Sequence, residues 1–355
     1  MYSVKFRYVH FQRQLVYSLA FRHVSGNSFY ENSNEKILKV AIIGPPNAGK
    51  STLVNALVGR RVCSASKKVH TTRHNIKAIT VDGSTQLVFL DTPGIVTGHE
   101  MQRHRLERAF ISNPEEAMLE ADVIGVVHDV SNKWTAKHLD HRTLRLLELH
   151  SDKNSILILN KIDALHKKYK LLELINILTN KSVKSSCPVE KPKVTKLSEI
   201  SVMKMVKDQH GWSEFNEVFM VSSLTGSGLG DVKEYLLQQA KLGPWIYKPG
   251  QFTDESPEDL ILQTVHSRLL EYLPQEIPYI LEPEMEFFKI HPDGRIVSVV
   301  LVNCPSPHLE KLVMGPKGKR IKLIAQEAEQ DIRNTFHENV YLKLVVTGHP
   351  NKNVR

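Results

Sequence analysis

Residues 44–52 read GPPNAGKST, directly after an apolar run (37–43, ILKVAII) and at the head of a helix-like stretch. No other feature restricts the fold as much. The spelling is G-x-x-x-x-G-K-S, and each position has a physical task. Glycines let backbone N–H groups turn inward around phosphate oxygens, and the helix N-terminus that follows adds a favourable dipole. Gly44, Pro45, Pro46, Asn47, Ala48 and Gly49 therefore form the expected cradle. Lys50 supplies a point charge to the β- and γ-phosphates and Ser51 a hydroxyl for Mg²⁺, with Thr52 beside them among the expected nucleotide-binding residues.

The rest of the N-terminal two thirds has a rhythm that suits this loop. Short runs rich in Val and Ile recur at 76–81, 86–90, 123–128, 155–159 and 217–221. Helix-like stretches lie near 50–58, 101–119, 135–150, 165–179 and 229–240. Apolar runs of strand length alternating with helices predict an α/β fold, a mostly parallel six-stranded sheet with helices on both faces. Asp82-Gly83 between two of the runs predicts a hairpin, hence one antiparallel strand.

Three further stretches fall at predicted strand ends. Residues 91–94 read DTPG, which puts Asp91 where Mg²⁺ needs a carboxylate and lets the Gly94 amide approach the γ-phosphate. Residues 160–163 read NKID. A carboxylate at Asp163 can accept from both N1–H and N2–H₂ of guanine, whereas adenine would leave it unpaired, so the predicted nucleotide is GTP or GDP rather than ATP. Asn160 is expected to brace the loops and the Lys161 stem to pack over the base. Residues 222–228 read SSLTGSG, with the amides of Ser222, Ser223 and Leu224 as candidates for the guanine O6. In HTTRH (70–74), Thr72 is the expected switch hydroxyl for Mg²⁺, with Thr71 its neighbour and competitor. Lys50 and Thr72 are thus the residues expected to act on the transferred phosphoryl group. By itself either of the last two stretches could be an ordinary polar loop.

Composition bounds what else the chain can be. Its 355 residues suffice for two or three domains, 24% are charged, and the formal net charge is +9. A basic excess suits RNA or an anionic membrane surface without choosing between them. Cys63, Cys187 and Cys304 are far apart in sequence and form no C-x-x-C pair, which argues against a disulfide framework or zinc site. No apolar run reaches the roughly 20 residues of a membrane span. Met1 to Tyr30 hold no Asp or Glu but carry Lys5, Arg7, Arg13 and Arg22 among aromatic and aliphatic residues. Residues 1–35 read as a mitochondrial transit peptide, with a basic arm as the alternative. Residues 181–214 hold seven lysines and two prolines and are expected to be a flexible basic insertion.

A Pro- and Gly-rich stretch at 243–257 reads as a linker between a nucleotide-binding domain (36–242) and a second domain (258–349). The predicted order beyond it is helix 257–273, strands 284–290 and 295–302, helices 307–314 and 319–335, and strand 340–346. Asp293-Gly294 marks the strand turn. The two neighbouring helices flank GPKG at 315–318, and the polar stretch 303–307 suggests a reshaped entry to the first of them.

In this order and spelling, GPPNAGKST, TTRH, DTPG, NKID and SSLTGSG resemble the translation-factor-like GTPases, and within them the Era family of the TrmE–Era–EngA-like group. The GPWIY…TD and EIPY segments strengthen the likeness, which spans about 37–346. The resemblance implies a P-loop G domain followed by an α+β type II KH domain, whose G-x-x-G loop clamps nucleotide backbone. Gly315, Pro316, Lys317, Gly318, Lys319, Arg320 and Lys322 are then the expected RNA contacts. It further implies a GTPase using Mg²⁺, bound to the 3′ region of small-subunit rRNA. With the leader, this means a monomer in the mitochondrial matrix that assists assembly of the small mitoribosomal subunit, with peripheral contact to the inner membrane as a further expectation. One departure matters for mechanism. Ile95 follows the DTPG glycine where Ras-type sites hold a water-orienting glutamine, which implies slow intrinsic hydrolysis. Asn47 matches a position that in related GTPases holds K⁺. A second reading is a GTP-regulated protein or membrane adaptor whose KH domain does not bind RNA. The third, a tRNA-modification GTPase, is disfavoured by the lack of an added catalytic domain.

Overall fold

The computed structural model describes residues 34–64, 76–92, 109–165, 169–180, 206, 209–274 and 277–348. These fall into two compact units, one made of 32–59 and 69–254, the other of 60–68 and 255–355. The expected leader and most of the basic insertion lie outside the described residues.

The first unit contains β1 (Lys36–Ile43), α1 (Lys50–Val58), β2 (Ile76–Asp82), β3 (Thr85–Asp91), α2 (Ala109–Glu120) and β4 (Val123–Asp129). It continues with α3 (His141–Leu149), β5 (Asn154–Asn160), α4 (Lys170–Leu178), β6 (Glu217–Met220), α5 (Leu229–Gln239) and β7 (Lys241–Leu242). The strand order is β2-β3-β1-β4-β5-β6. β1 pairs parallel with β3 on one side and β4 on the other, so the chain leaves β1 where the order reverses. Such a switch point opens a crevice at the strand C-termini, and the cradle residues follow there. The β2–β3 hairpin is antiparallel, as Asp82-Gly83 predicts. The sheet has seven strands rather than six, because β7 pairs antiparallel with Lys36 and Ile37, ahead of the β1 residues that β4 covers. A two-residue strand has no periodicity to read.

Ile43, Val88, Leu90, Ile124, Val126, Leu157 and Leu159 pack with Met118, Leu144 and Leu147 in one core. Trp212 and Phe215 belong to that core as well. The end of the insertion is therefore anchored rather than flexible: the Trp212 amide donates to the Leu178 carbonyl at 2.8 Å, and two large rings are removed from water. The expected linker is likewise docked over most of its length. Buried Gln86 accepts from the amides of Ile246 and Tyr247 and donates to the Tyr247 carbonyl at 2.8 Å. Further on, Phe252 accepts from the Ile79 amide and Thr253 bridges Ala78 on β2. An edge strand offers unpaired backbone groups, and this segment satisfies some of them.

The second unit holds α6 (Pro257–Tyr272), β8 (Pro283–Ile290), β9 (Ile296–Cys304), α7 (Pro307–Met314), α8 (Lys319–Phe336) and β10 (Val340–Gly348). This is the α-β-β-α-α-β order read from the sequence. In the three-stranded sheet β9 is central, antiparallel to β8 and parallel to β10. Ile261, Val265 and Leu269 of α6 pack with Val300 and Val302 of β9 and with Ile324 and Ile332 of α8. The entry to α7 is an ordinary capped start. Ser306 accepts from the Leu309 amide and Pro307 takes the first helical turn, where its missing N–H costs nothing.

Candidate nucleotide site and GPKG turn

The 44–49 loop turns through backbone states that suit small residues. Gly49 has φ 94°, and a Cβ there would lie 2.3 Å from Asn160 Nδ2. That close approach is what the glycine makes possible. Asn160, buried at the end of β5, donates from Nδ2 to the Ala48 carbonyl at 2.9 Å. Its Oδ1 accepts from the Ser223 amide at 3.1 Å and the Ser223 hydroxyl at 2.9 Å. One side chain thus ties the phosphate loop, the NKID loop and the SSLTGSG loop together.

Lys50 is buried, and its Nζ donates to the carbonyls of Gly44 and Pro45 at 3.1 Å each. Burial lowers its pKa to about 8, against the upward pull of Asp91. A phosphate chain in the cradle would supply the counter-charge these carbonyl dipoles only partly provide. Ser51 Oγ donates to Asp91 Oδ2 at 2.6 Å. A hydroxyl and a carboxylate held together are hard oxygen donors of the kind Mg²⁺ takes, with phosphates and water completing its shell. Thr92, also buried, donates to the Ile42 carbonyl at 2.8 Å and pins the turn after Asp91 to β1.

Asp163 accepts from the Ser222 hydroxyl at 2.6 Å, which orients its carboxylate. Lys161, at φ 66°, reaches across to the Asn47 carbonyl at 2.7 Å. The same Nζ lies 2.6 Å from Asp129 Oδ2. Asp129 is the residue sequence reasoning missed. Burial would raise its pKa, but Lys161 and Ser131 outweigh that and hold it below the ordinary value. A signal existed: Asp129 ends β4 as Asp91 ends β3, and it pairs in register with Asn160.

The structure narrows the third loop. The amides of Ser222, Ser223, Thr225 and Gly226 are bonded within the protein. Among the described residues 222–226, the Leu224 amide alone has no internal acceptor, so it is the one presented outward. Thr72, Thr71, Gly94 and Ile95 lie outside the described residues.

In the second unit, GPKG joins α7 to α8. Gly315, Lys317 and Gly318 have φ of 68°, 51° and 72°. A Cβ on Gly315 would lie 2.7 Å from Arg320 Cβ, whereas one on Gly318 would meet nothing closer than Met314 Cε at 3.7 Å. Both glycines therefore serve the turn through their positive φ, and Gly318 in addition leaves the space beside it open. Lys317, Lys319 and Lys322 are exposed. Arg320 is half-buried and donates to the Leu312 carbonyl, closing the end of α7, so one arm of its guanidinium serves the fold.

Comparison with known proteins finds matches to both regions of the chain. Residues 39–161 match the family model described as 50S ribosome-binding GTPase, and 309–351 match that of the KH domain. The chain is 38% identical over 338 residues to the mitochondrial GTPase Era of Danio rerio, covering 88% of this chain and 75% of that protein. It is 36% identical over 350 residues to the mitochondrial GTPase Era of Salmo salar, covering 88% and 76%. A crystal structure of Era in complex with MgGDPNP and nucleotides 1506-1542 of 16S ribosomal RNA superposes with a TM-score of 0.66 at 25% identity, covering 90% of this chain and 95% of that one. On this identity and coverage, and with the phosphate loop, NKID loop and GPKG turn in place, the chain is a GTPase of the Era family.

Proposed function

We propose that this GTPase binds GTP and GDP with Mg²⁺, hydrolyses GTP slowly, and holds small-subunit rRNA of mitochondria during assembly of the small mitoribosomal subunit. The observation that carries the proposal is the presence, in one chain, of a guanine-reading loop tied to a phosphate cradle by Asn160 and a glycine-opened turn ringed by exposed lysines. Ser51, Asp91 and Thr72 would hold Mg²⁺, which neutralises charge on the terminal phosphates when bound. Lys50 would steady the γ-phosphate, Asp163 would select guanine, and the Leu224 amide would meet O6. The absence of an amide side chain at Ile95 supports slow turnover that a partner accelerates. For GTP to control RNA capture, RNA must bind the GTP and GDP states unequally. The matrix location rests on the acid-free leader and on relatives named as mitochondrial.

The test is crosslinking and sequencing of RNA bound to the protein in intact mitochondria, with wild type beside Gly318→Asp. An added Cβ meets nothing closer than 3.7 Å, and the carboxylate stands where a phosphate would approach. The φ of 72° strains any L side chain there, so Gly318→Asn, with the same strain and no charge, is the control and should keep most of the RNA. Wild type should enrich small-subunit rRNA, and Gly318→Asp should lose at least tenfold of it while binding GTP normally. Equal, salt-insensitive association of both with protein or membrane would instead favour the adaptor reading, since RNA contact must weaken with salt. We further propose K⁺ as a second cation beside the phosphates, held through Asn47. Faster turnover in K⁺ than in Na⁺ is expected, and equal rates would remove that role.

A further inference from the structure

The outer face of the β10-β9-β8 sheet carries chemistry that neither the nucleotide site nor the GPKG turn uses. Strand register fixes its pattern. Tyr341 pairs with Val297, which pairs with Lys289. Two residues further along, Lys343 pairs with Val299, which pairs with Phe287. Side chains two apart on a strand share a face, so these six residues form two adjacent rows. In one row the aromatic ring lies on β10 and the lysine on β8; in the next the order is reversed. Tyr341 is 60% exposed and Phe287 47% exposed. Both lysines are exposed, and neither is paired with a carboxylate among the described residues. Val297 and Val299 form a half-buried apolar floor between them.

Two open rings set in a checkerboard with two hydrated lysines leave aromatic surface in water. Aromatic surface in water forfeits about 25 cal/mol for each Å² left unburied. The same pattern suits single-stranded nucleic acid, whose bases stack on aromatic faces of a sheet while ammonium groups meet the phosphates. Lys289 and Lys343 favour that occupant over an apolar protein surface, which would have to desolvate both. The pattern ends at the following row, where Glu284 pairs with Leu301, and at exposed Glu286 in the β8 bulge. A polyanion is confined to the two basic rows.

We propose that this face is a second RNA-binding surface, a stacking platform for unpaired nucleotides separate from the GPKG clamp. The proposal rests on the RNA-binding reading above. The experiment measures fluorescence anisotropy of the full chain with two labelled single-stranded RNA probes, a 5-mer and a 12-mer. A G-x-x-G clamp spans about four nucleotides, so a 5-mer held there has almost no chain left over, whereas a 12-mer has nucleotides left to stack on the sheet face. The double variant Tyr341→Ala/Phe287→Ala should bind the 12-mer about tenfold more weakly and the 5-mer as wild type does, which also shows that the unit is folded. The exchange Tyr341→Phe/Phe287→Tyr keeps both rings and should retain 12-mer affinity. Unchanged 12-mer binding by the alanine variant would overturn the platform, as would an equal loss in the ring-preserving exchange. Wild type binding the 5-mer as tightly as the 12-mer would also overturn it while leaving the clamp standing. Wild type binding neither probe would remove the RNA reading itself.

Discussion

Asn160→Ala should weaken GDP binding by at least a hundredfold and lower the stability of the nucleotide-binding unit by about 3 kcal/mol. The Asn160 side chain is 1% exposed and makes three hydrogen bonds, each to a different group: the Ala48 carbonyl, the Ser223 amide and the Ser223 hydroxyl. Removing it leaves those groups without their partner, and an unsatisfied buried polar group costs about 1–3 kcal/mol. Water entering the space left behind would recover part of that cost, which sets the figure near the low end of the sum. The loss reaches binding because the three groups belong to the phosphate loop and the SSLTGSG loop. Without the tie, a nucleotide must order both loops with its own binding energy, and 2.7 kcal/mol spent this way is already a hundredfold in affinity. Ser223→Ala, which removes only the hydroxyl bond, should cost about 1 kcal/mol. Asn160→Asp should be at least as damaging as alanine, because an oxygen would then face the Ala48 carbonyl where Nδ2 now donates. Titration calorimetry with GDP and urea unfolding measure both effects. GDP affinity within threefold of wild type in Asn160→Ala would show that the tie is not what organises the site.

That tie also shows where sequence reading stops. The phosphate loop, Asp91 and NKID are local spellings that the structure places at strand ends, and the predicted alternation of strands and helices is observed. The brace role of Asn160 was anticipated, but its acceptor on Ala48 and its donors on Ser223 join residues far apart in sequence, and no periodicity encodes them. Asp129 was missed for a related reason. Its partner Lys161 comes from another strand end, and the acid alone looks like the polar close of a buried strand. The second unit was legible in element order, since its helix- and strand-length stretches and the Asp293-Gly294 turn follow one another in that order. The docking of 245–254 was not. Its prolines and glycines signal a break, while the feature that holds it is Gln86, a polar residue in the middle of a buried strand. Trp212 and Phe215 were obscured by the lysine-rich stretch before them, whose composition says nothing about where it ends.

Arg268→Ala should destabilise the second unit by about 3 kcal/mol, and most of that loss should come from the carboxylates left behind. Arg268 on α6 donates through Nε and Nη2 to the two oxygens of Asp331 on α8, at 2.6 and 2.9 Å. Its Nη1 meets Glu271 at 2.8 Å and Glu327 at 2.7 Å, and Tyr272 donates to the other Glu327 oxygen. Asp331 is 5% exposed, so it cannot turn to bulk water when its fork is removed. Breaking a buried pair from one side costs about 3–5 kcal/mol, whereas replacing both partners by apolar residues is often close to neutral. Arg61, which clusters with this unit and lies 3.0 Å from Asp331, remains as a second cation and keeps the cost at the lower end. Arg268→Lys should fall between wild type and alanine, because an ammonium keeps the charge but cannot make the paired contact. Arg268→Met/Asp331→Leu should recover much of the stability that Arg268→Ala loses. Amide hydrogen exchange in α6 and α8, measured on the full chain, separates these outcomes: alanine should speed exchange in both helices, and the apolar pair should slow it again. If the apolar pair exchanges as fast as the single alanine variant, the network contributes through geometry rather than through charge compensation, and the fork itself fixes α8, the helix whose first turn follows the GPKG clamp.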